Sequence, residues 1–298
     1  MMPAMNREKR SYIYAILAVS LWSTVASAFK LTLRYLDVIS MLFLASLSSL
    51  ILLFVILVAQ GKHLLLRRYS KKDYIRSLLC GALNPFLYYF ILFKAYSLLP
   101  AQEAQPLNQI WAIILPIFSV RFLKQKLPLK SVFALIISFL GILIITTHGN
   151  PFSLSFSSPI GILLAVGSAF VWALFWINNL KDTRDEVSKL FLNFLFGFLY
   201  IAIVQQILGG FQAPLMEGLI GAVYIGFFEM GITFIFWMKA LRLSENTAKI
   251  TNVIFLIPFL SLMIINVTVG EAILWSTIIG LILIIGGNIL QQVERRRP

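Results

Sequence analysis

KAYSL at residues 94–98 returns as KALRL at 239–243, 145 residues further along the chain. Gly141 and Gly286 are separated by the same 145 residues, and Asn108 in LNQIW precedes Asn252 in TNVIF by 144. IILPIF (113–118) and FLIPFL (255–260) echo each other more loosely. SLWST around Trp22 and FVWAL around Trp172 mark the first helix of each half. Few as the identities are, their order and spacing recur. They divide the chain into two related halves, 1–148 and 149–298.

The sequence around these echoes is mostly apolar: of 298 residues, 59% are hydrophobic and 12% charged. Soluble domains carry about a quarter charged residues, so the composition indicates a membrane protein. A helix needs about 20 apolar residues to cross the hydrocarbon core. Ten runs meet that length: 11–29, 38–59, 74–98, 101–121, 129–147, 159–180, 188–208, 216–238, 247–269 and 272–290. Five spans per half is an odd number, so the second half enters the membrane in the opposite sense to the first. The predicted fold is an all-α polytopic membrane protein, with ten transmembrane helices as two inverted five-helix repeats. That arrangement is a signature of secondary transporters.

The charges support the count. If the spans alternate from a cytoplasmic N-terminus, only Lys30, Arg34 and Lys94 of the 25 Lys and Arg fall outside. The other 22 lie on the cytoplasmic side, a strong positive-inside bias that puts both termini in the cytoplasm. The net charge of +13 is therefore read as topology and contact with anionic lipid. No basic domain is left over to bind nucleic acid. Arg7–Arg10, the apolar run after them and Ala26-Ser27-Ala28 together mimic a cleaved signal peptide. The repeat requires the first span, so this segment is read as a retained helix.

PAQEAQPLNQIW (100–111) interrupts the apolar pattern. Pro100 and Pro106 suit the first turns of the fourth span, where a missing N–H costs little. On a helix Gln102, Gln105, Asn108, Gln109 and Ala112 share one narrow face. Unpaired amides in hydrocarbon cost several kcal/mol each, so this face turns inward, either to line a pathway or to bond neighbouring helices. Glu103 sits near the outer mouth, where solvation and a functional role both remain open.

Glu229, in GFFEMGITFIFW, lies near the middle of the eighth span. A carboxylate at that depth is expensive and marks a functional site by default. Its counterpart 145 residues earlier is Asn84. The pair is expected to face each other near a substrate site, with Glu229 as an amine ligand or a proton-coupling group. Trp22, Tyr88, Trp111 and Trp172 lie deep enough to wall an apolar substrate, whereas Trp237 reads as an interfacial anchor. Asn84-Pro85 in the third span and Pro258 in the ninth would each disturb a helix, which makes Pro85 and Pro258 candidate hinges. Gly141, Gly280, Gly286 and Gly287 read as sites of close helix packing. The candidate substrate-binding set is Asn84, Tyr88, Asn108, Trp111, Trp172, Glu229 and Asn252.

LWST at 21–24, EAQPLNQIW at 103–111, KQKL at 124–127, AFVWALFW at 169–176 and PFLSLMIINVTVGE at 258–271 resemble the EamA-like transporters of the drug/metabolite transporter superfamily. The resemblance covers nearly the whole chain. It implies a ten-helix inverted-repeat exporter of small metabolites, often amino acids or related compounds, in a bacterial plasma membrane. Two features depart from the family pattern. Ala112 stands where many members carry Pro. Glu271 fits a family Glu near the end of the second half, but Gln125 occupies its place in the first.

Other function classes lack their residues. The single Cys80 excludes a disulfide framework, and His63 and His148 are too far apart to suggest a zinc site. There is no GxSxG, HExxH or Walker A loop. The sequence thus predicts no enzyme, cofactor or metal. The partners it implies are a small-molecule substrate and the lipid bilayer, with a monomer and a homodimer both open. The expected function is export by alternating access at a midplane site, with proton coupling as one version. An uncoupled facilitator or channel, or a non-transporting structural or sensor membrane protein, is the alternative.

Overall fold

A computed structural model describes residues 7–111, 114, 117, 118, 122, 129–150, 157–210, 213–243 and 252–293. Those residues are helical apart from turns and short connections. In chain order the main helices are α1 (Arg7–Thr32), α2 (Val38–Ala59), α3 (Lys71–Gly81), α4 (Tyr88–Leu98), α5 (Ala101–Asn108), α6 (Leu129–Thr146), α7 (Pro159–Leu180), α8 (Glu186–Ile207), α9 (Met216–Tyr224), α10 (Ile232–Leu243), α11 (Leu256–Val269) and α12 (Trp275–Val293). Among the described residues, six helical stretches are long and apolar enough to cross a membrane: Arg7–Thr32, Val38–Ala59, Lys71–Leu98, Pro159–Asn179, Glu186–Ile207 and Met216–Ala240. Shorter apolar helices occupy Ile136–Ile145, Leu256–Val269 and Trp275–Gly287.

The helix starts are chemically marked. Asp37 accepts hydrogen bonds from the Ile39 and Ser40 N–H groups before α2. Ser70 and Asp73 form a capping box at α3. Ser158 precedes Pro159 at α7, and Asp185 caps α8. Each satisfies N–H groups that have no partner inside the helix.

Among the described residues, two spans are broken by π-type segments. Ala82–Leu87 separates α3 from α4, with Asn84 at φ −149° and ψ 124°. Pro85 follows it, joined through a cis peptide. Pro85 offers no N–H and disfavours helical backbone at the residue before it, which accounts for the break. Ile225–Glu229 separates α9 from the helix that continues into α10. There the Thr233 hydroxyl donates to the Phe228 carbonyl, satisfying a group the break would otherwise expose.

The chain forms two compact units, each drawn from both halves of the sequence. The first comprises Met1–Phe86 and Thr183–Ile264; the second comprises Leu87–Asp182 and Ile265–Pro298. In the first, contacts run from α3 to α8, from α8 to α2, from α2 to α9 and its π segment, and from α10 to α1. In the second, α4 packs on α7, α5 on α7, and α6 on α12.

Glycines set the closest approaches. A Cβ on Gly141 would lie 2.5 Å from the Gly280 carbonyl oxygen, and one on Gly280 would lie 2.5 Å from that of Gly141. The packing expected of these two glycines is therefore present between α6 and α12. Gly286 has open space beside it instead. In the first unit, a side chain on Gly197 would strike the Pro85 ring, and one on Gly81 would meet the Asn193 carbonyl oxygen at 2.5 Å.

Candidate functional site

The second unit gathers four of the residues that the sequence singles out. Tyr88 opens α4 directly after the break, and its ring stacks on Trp172 of α7 with centroids 4.4 Å apart and planes 30° from parallel. The Tyr88 hydroxyl donates to Asn108 Oδ1 at 3.2 Å. Asn108 Nδ2 donates to Ser168 Oγ at 2.9 Å, and the Ser168 hydroxyl donates on to the Ala165 carbonyl at 2.6 Å. Trp111 meets Trp172 edge-on at 6.5 Å, and Trp176 meets it edge-on at 6.0 Å. Tyr88 and Trp172 are buried, while Asn108 and Trp111 keep partial exposure. The result is an aromatic wall with an oriented amide in it, a lining suited to an apolar substrate with a few polar groups.

The polar stripe splits by role. Gln102 and Gln105 are buried. Gln102 Oε1 accepts the Leu274 N–H at 3.3 Å and the Thr277 hydroxyl at 3.4 Å, so it holds the start of α12. Glu271 returns the arrangement, its two oxygens accepting the Ala101 and Gln102 N–H groups at 3.0 and 3.1 Å. Glu103 is 1% exposed. Its Oε1 lies 2.8 Å from His148 Nε2, and its Oε2 accepts the Ser157 hydroxyl at 2.7 Å. Sequence spacing gave no sign of that trio. Its one local clue is PAQE itself, a carboxylate in the first turn of a helix otherwise bound for hydrocarbon.

The first unit holds Asn84, Pro85 and Glu229. Asn84 is fully buried, and neither atom of its amide has a hydrogen-bond partner among the described residues. Glu229 is buried at the end of its π segment. The contacts recorded in this unit lead from α3 to the α9 region by way of α8 and α2. Gly81 brings Asn84's helix against Asn193 of α8, while Gly226, in the π segment of Glu229, meets Ser49 of α2. Asn193 and Ser49 are buried too, and sequence reading missed both. Trp22 packs against Phe234 at 6.2 Å and Trp237 at 5.8 Å. Trp237, expected as an interfacial anchor, is 5% exposed within this cluster. Pro258 is the third residue of α11, directly after a 3-10 turn at Asn252–Phe255, where its missing N–H has no intrahelical partner to lose. The Asn252 side chain, Ala112 and Gln125 lie outside the described residues.

The EamA-like transporter family model matches residues 9–147 and again 159–291. This chain belongs to the EamA-like transporter family. It is accordingly a multi-pass membrane transporter of the drug/metabolite transporter superfamily and not an enzyme. An uncharacterized transporter of Clostridium kluyveri is 25% identical over 226 residues, covering 74% of this chain and 72% of that protein. The uncharacterized transporter YxxF of Bacillus subtilis is 28% identical over 77% of this chain and 73% of its own length. An uncharacterized transporter of Archaeoglobus fulgidus is 24% identical over 91% of this chain and 94% of its own. One crystal structure shares the fold with a TM-score of 0.68 at 20% identity, over 96% of this chain and 98% of that one. The two EamA matches suggest that the chain is built from duplicated halves.

Proposed function

We propose that this EamA-family protein is a secondary transporter that exports a small metabolite, an amino acid or a related compound, by alternating access at a site near the bilayer midplane. In this reading ten spans form two inverted five-helix repeats, 1–148 and 149–298. Both termini are cytoplasmic, and the plasma or inner membrane is the location.

The observation that carries the reading is the list of helix partners. With the spans numbered along the chain, α1 and α10 are spans 1 and 8, and α4 and α7 are spans 3 and 6. Exchanging every span for its counterpart five places away turns the first partnership into the second. The same exchange leaves α2 with α8 and α6 with α12 unchanged. A duplicated chain would have this symmetry. The two π breaks support it, because Asn84 and Glu229 occupy matching places in spans 3 and 8. Broken helices near mid-membrane are where transporters build their sites.

Tyr88, Asn108, Trp111 and Trp172 are assigned to the substrate wall. In the first unit Asn84, Asn252 and Glu229 are assigned to polar recognition of the substrate, with Glu229 also as the proton-coupling group and Pro85 and Pro258 as hinges. The test is counterflow in proteoliposomes with labelled amino acids and other small metabolites, with and without a pH gradient. Accumulation of one substrate class that follows the gradient and is lost in Glu229→Gln supports the reading. Exchange that ignores pH and survives Glu229→Gln makes the protein a facilitator. No exchange by any solute removes transport of this panel.

A further inference from the structure

Helix α6 ends in a Schellman arrangement: the His148 N–H bonds the Ile145 carbonyl at 3.2 Å and the Gly149 N–H bonds the Ile144 carbonyl at 2.9 Å. The residue at the turn takes a left-handed backbone, a place glycine usually fills. Here His148 fills it, at φ 51°, with Gly149 following at φ 82°. A side chain in that region costs free energy, so a histidine there needs a compensating contact. Its Nε2 atom has one, the Oε1 atom of the buried Glu103 at 2.8 Å. Glu103 uses its second oxygen on Ser157, just ahead of α7. One carboxylate therefore joins the start of α5, the end of α6 and the approach to α7. Helices α5 and α7 are the two that carry Asn108, Ser168 and Trp172.

We propose that Glu103 and His148 form a proton-binding latch, in which protonation of His148 fastens α5 to the ends of α6 and α7 and so fixes the arrangement of the Asn108–Trp172 wall. With neutral imidazole only the carboxylate of the hydrogen bond is charged. Imidazolium makes both partners charged and turns the contact into an ion pair, and the carbonyl end of α6 attracts its charge as well. His148 is partly open to solvent, with 41% of its side chain exposed against 1% for Glu103, so a proton can reach the histidine without opening the core. Competing charges are few. Glu271 is taken up by the Ala101 and Gln102 N–H groups. Lys94 of α4 is exposed, and Tyr96 of that helix is buried. The sequences of α7 and α12 contain no charged residue, and the one in α6, Lys130, is at its opposite end.

The latch rests on the transport reading only for its consequence, so it is tested with and without substrate. The first measurement is amide hydrogen exchange of the full-length protein in lipid nanodiscs at about pH 5.5 and about pH 7.5, where histidine changes charge, scaled for intrinsic rates. Amides at 103–105 and 147–149 are expected to exchange roughly threefold to tenfold more slowly at the lower pH. The difference should vanish in His148→Asn, a variant that keeps a residue tolerant of the left-handed backbone and so should fold even if Glu103→Gln does not. Scaled rates that are equal at both pH values in the wild type, or a difference that persists in His148→Asn, overturn the latch. The second measurement is the pH profile of counterflow. A profile that flattens in His148→Asn supports the link to transport, and one that is unchanged overturns it. If no solute exchanges at all while the amide difference is present, transport of the panel has failed and the latch stands.

Discussion

Glu271, in the link before α12, caps α5, and Gln102 of α5 in turn holds the start of α12. The Glu271 carboxylate accepts the first two N–H groups of α5, while Gln102 Oε1 accepts the Leu274 N–H at the start of α12. A carboxylate at a helix N-terminus satisfies orphan donors and complements the helix dipole. The glutamate that resembles a family feature thus has a structural task within the second unit. Glu271→Ala should lower stability by about 1–2 kcal/mol, read as a fall in melting temperature in detergent. Glu271→Gln, which keeps an acceptor but no charge, should lose roughly half as much. Equal losses would show that the charge carries the whole effect, and a Glu271→Gln protein as stable as the wild type would show that charge contributes nothing to the cap.

The Tyr88 hydroxyl and the Trp172 ring act on the wall in separable ways. Tyr88→Phe keeps the stack and removes the donor to Asn108 Oδ1. With that donor gone the Asn108 amide is less firmly oriented, and the apparent KM for counterflow should rise about fivefold, the worth of about 1 kcal/mol. Trp172→Leu removes the surface that Tyr88, Trp111 and Trp176 pack against. It should raise KM by about tenfold or more. A Trp172→Leu protein with wild-type KM would take this ring out of the substrate wall.

Much of that wall was legible because polarity, aromaticity and depth are local properties. Tyr88, Asn108, Trp111 and Trp172 are each unusual for their place in an apolar run, and the spans bring them together. The remaining contacts were not legible, because they depend on which helices touch. Glu103 finds His148 45 residues away, and no periodicity links the two. Trp237 looks like an anchor from its place near a helix end, yet the pairing of α1 with α10 sets it against Trp22. Asn193 and Ser49 look like ordinary helix residues until Gly81 and Gly226 bring neighbouring backbones against them. The family match supports the duplication read from KAYSL and KALRL, whereas Gly141 packs on Gly280 and not on its repeat counterpart Gly286. Repeat counterparts share a role by descent, but an interface depends on which helices adjoin it.

That distinction gives a clean contrast among glycines. Gly141→Leu or Gly280→Leu inserts a side chain where the opposing backbone oxygen already lies 2.5 Å from a Cβ. Overpacking of this kind costs about 1–3 kcal/mol or more, because α6 and α12 must separate to admit it. Gly286→Ala meets nothing within 4 Å and replaces a poor helix former. It should leave stability unchanged or raise it by roughly 0.5–1 kcal/mol. Thermal unfolding of the three variants side by side checks both signs. Tolerance of leucine at 141 and 280 would mean that α6 and α12 do not pack this closely.

At the basic end of the first unit Lys62 Nζ lies 2.7 Å from Asp185 Oδ2, and Asp185 also accepts the Ser188 N–H and hydroxyl at the start of α8. Burial pushes the Asp185 carboxyl up, but the Lys62 ammonium and the Ser188 donors outweigh it and hold it below its usual 3.8. Because the folded value is the depressed one, the stability from this group is present in full above the unfolded value. It fades as pH falls through the folded value. The pair is partly exposed, so solvent screening limits its worth to a few tenths of a kcal/mol, about the range of surface ion pairs. Asp185→Asn should therefore cost slightly more stability at about pH 7 than at about pH 3. The gap should narrow further in high salt, as it does for exposed charges. A penalty of the same size at both pH values would assign the effect to the lost helix cap and leave the ion pair without a measurable share.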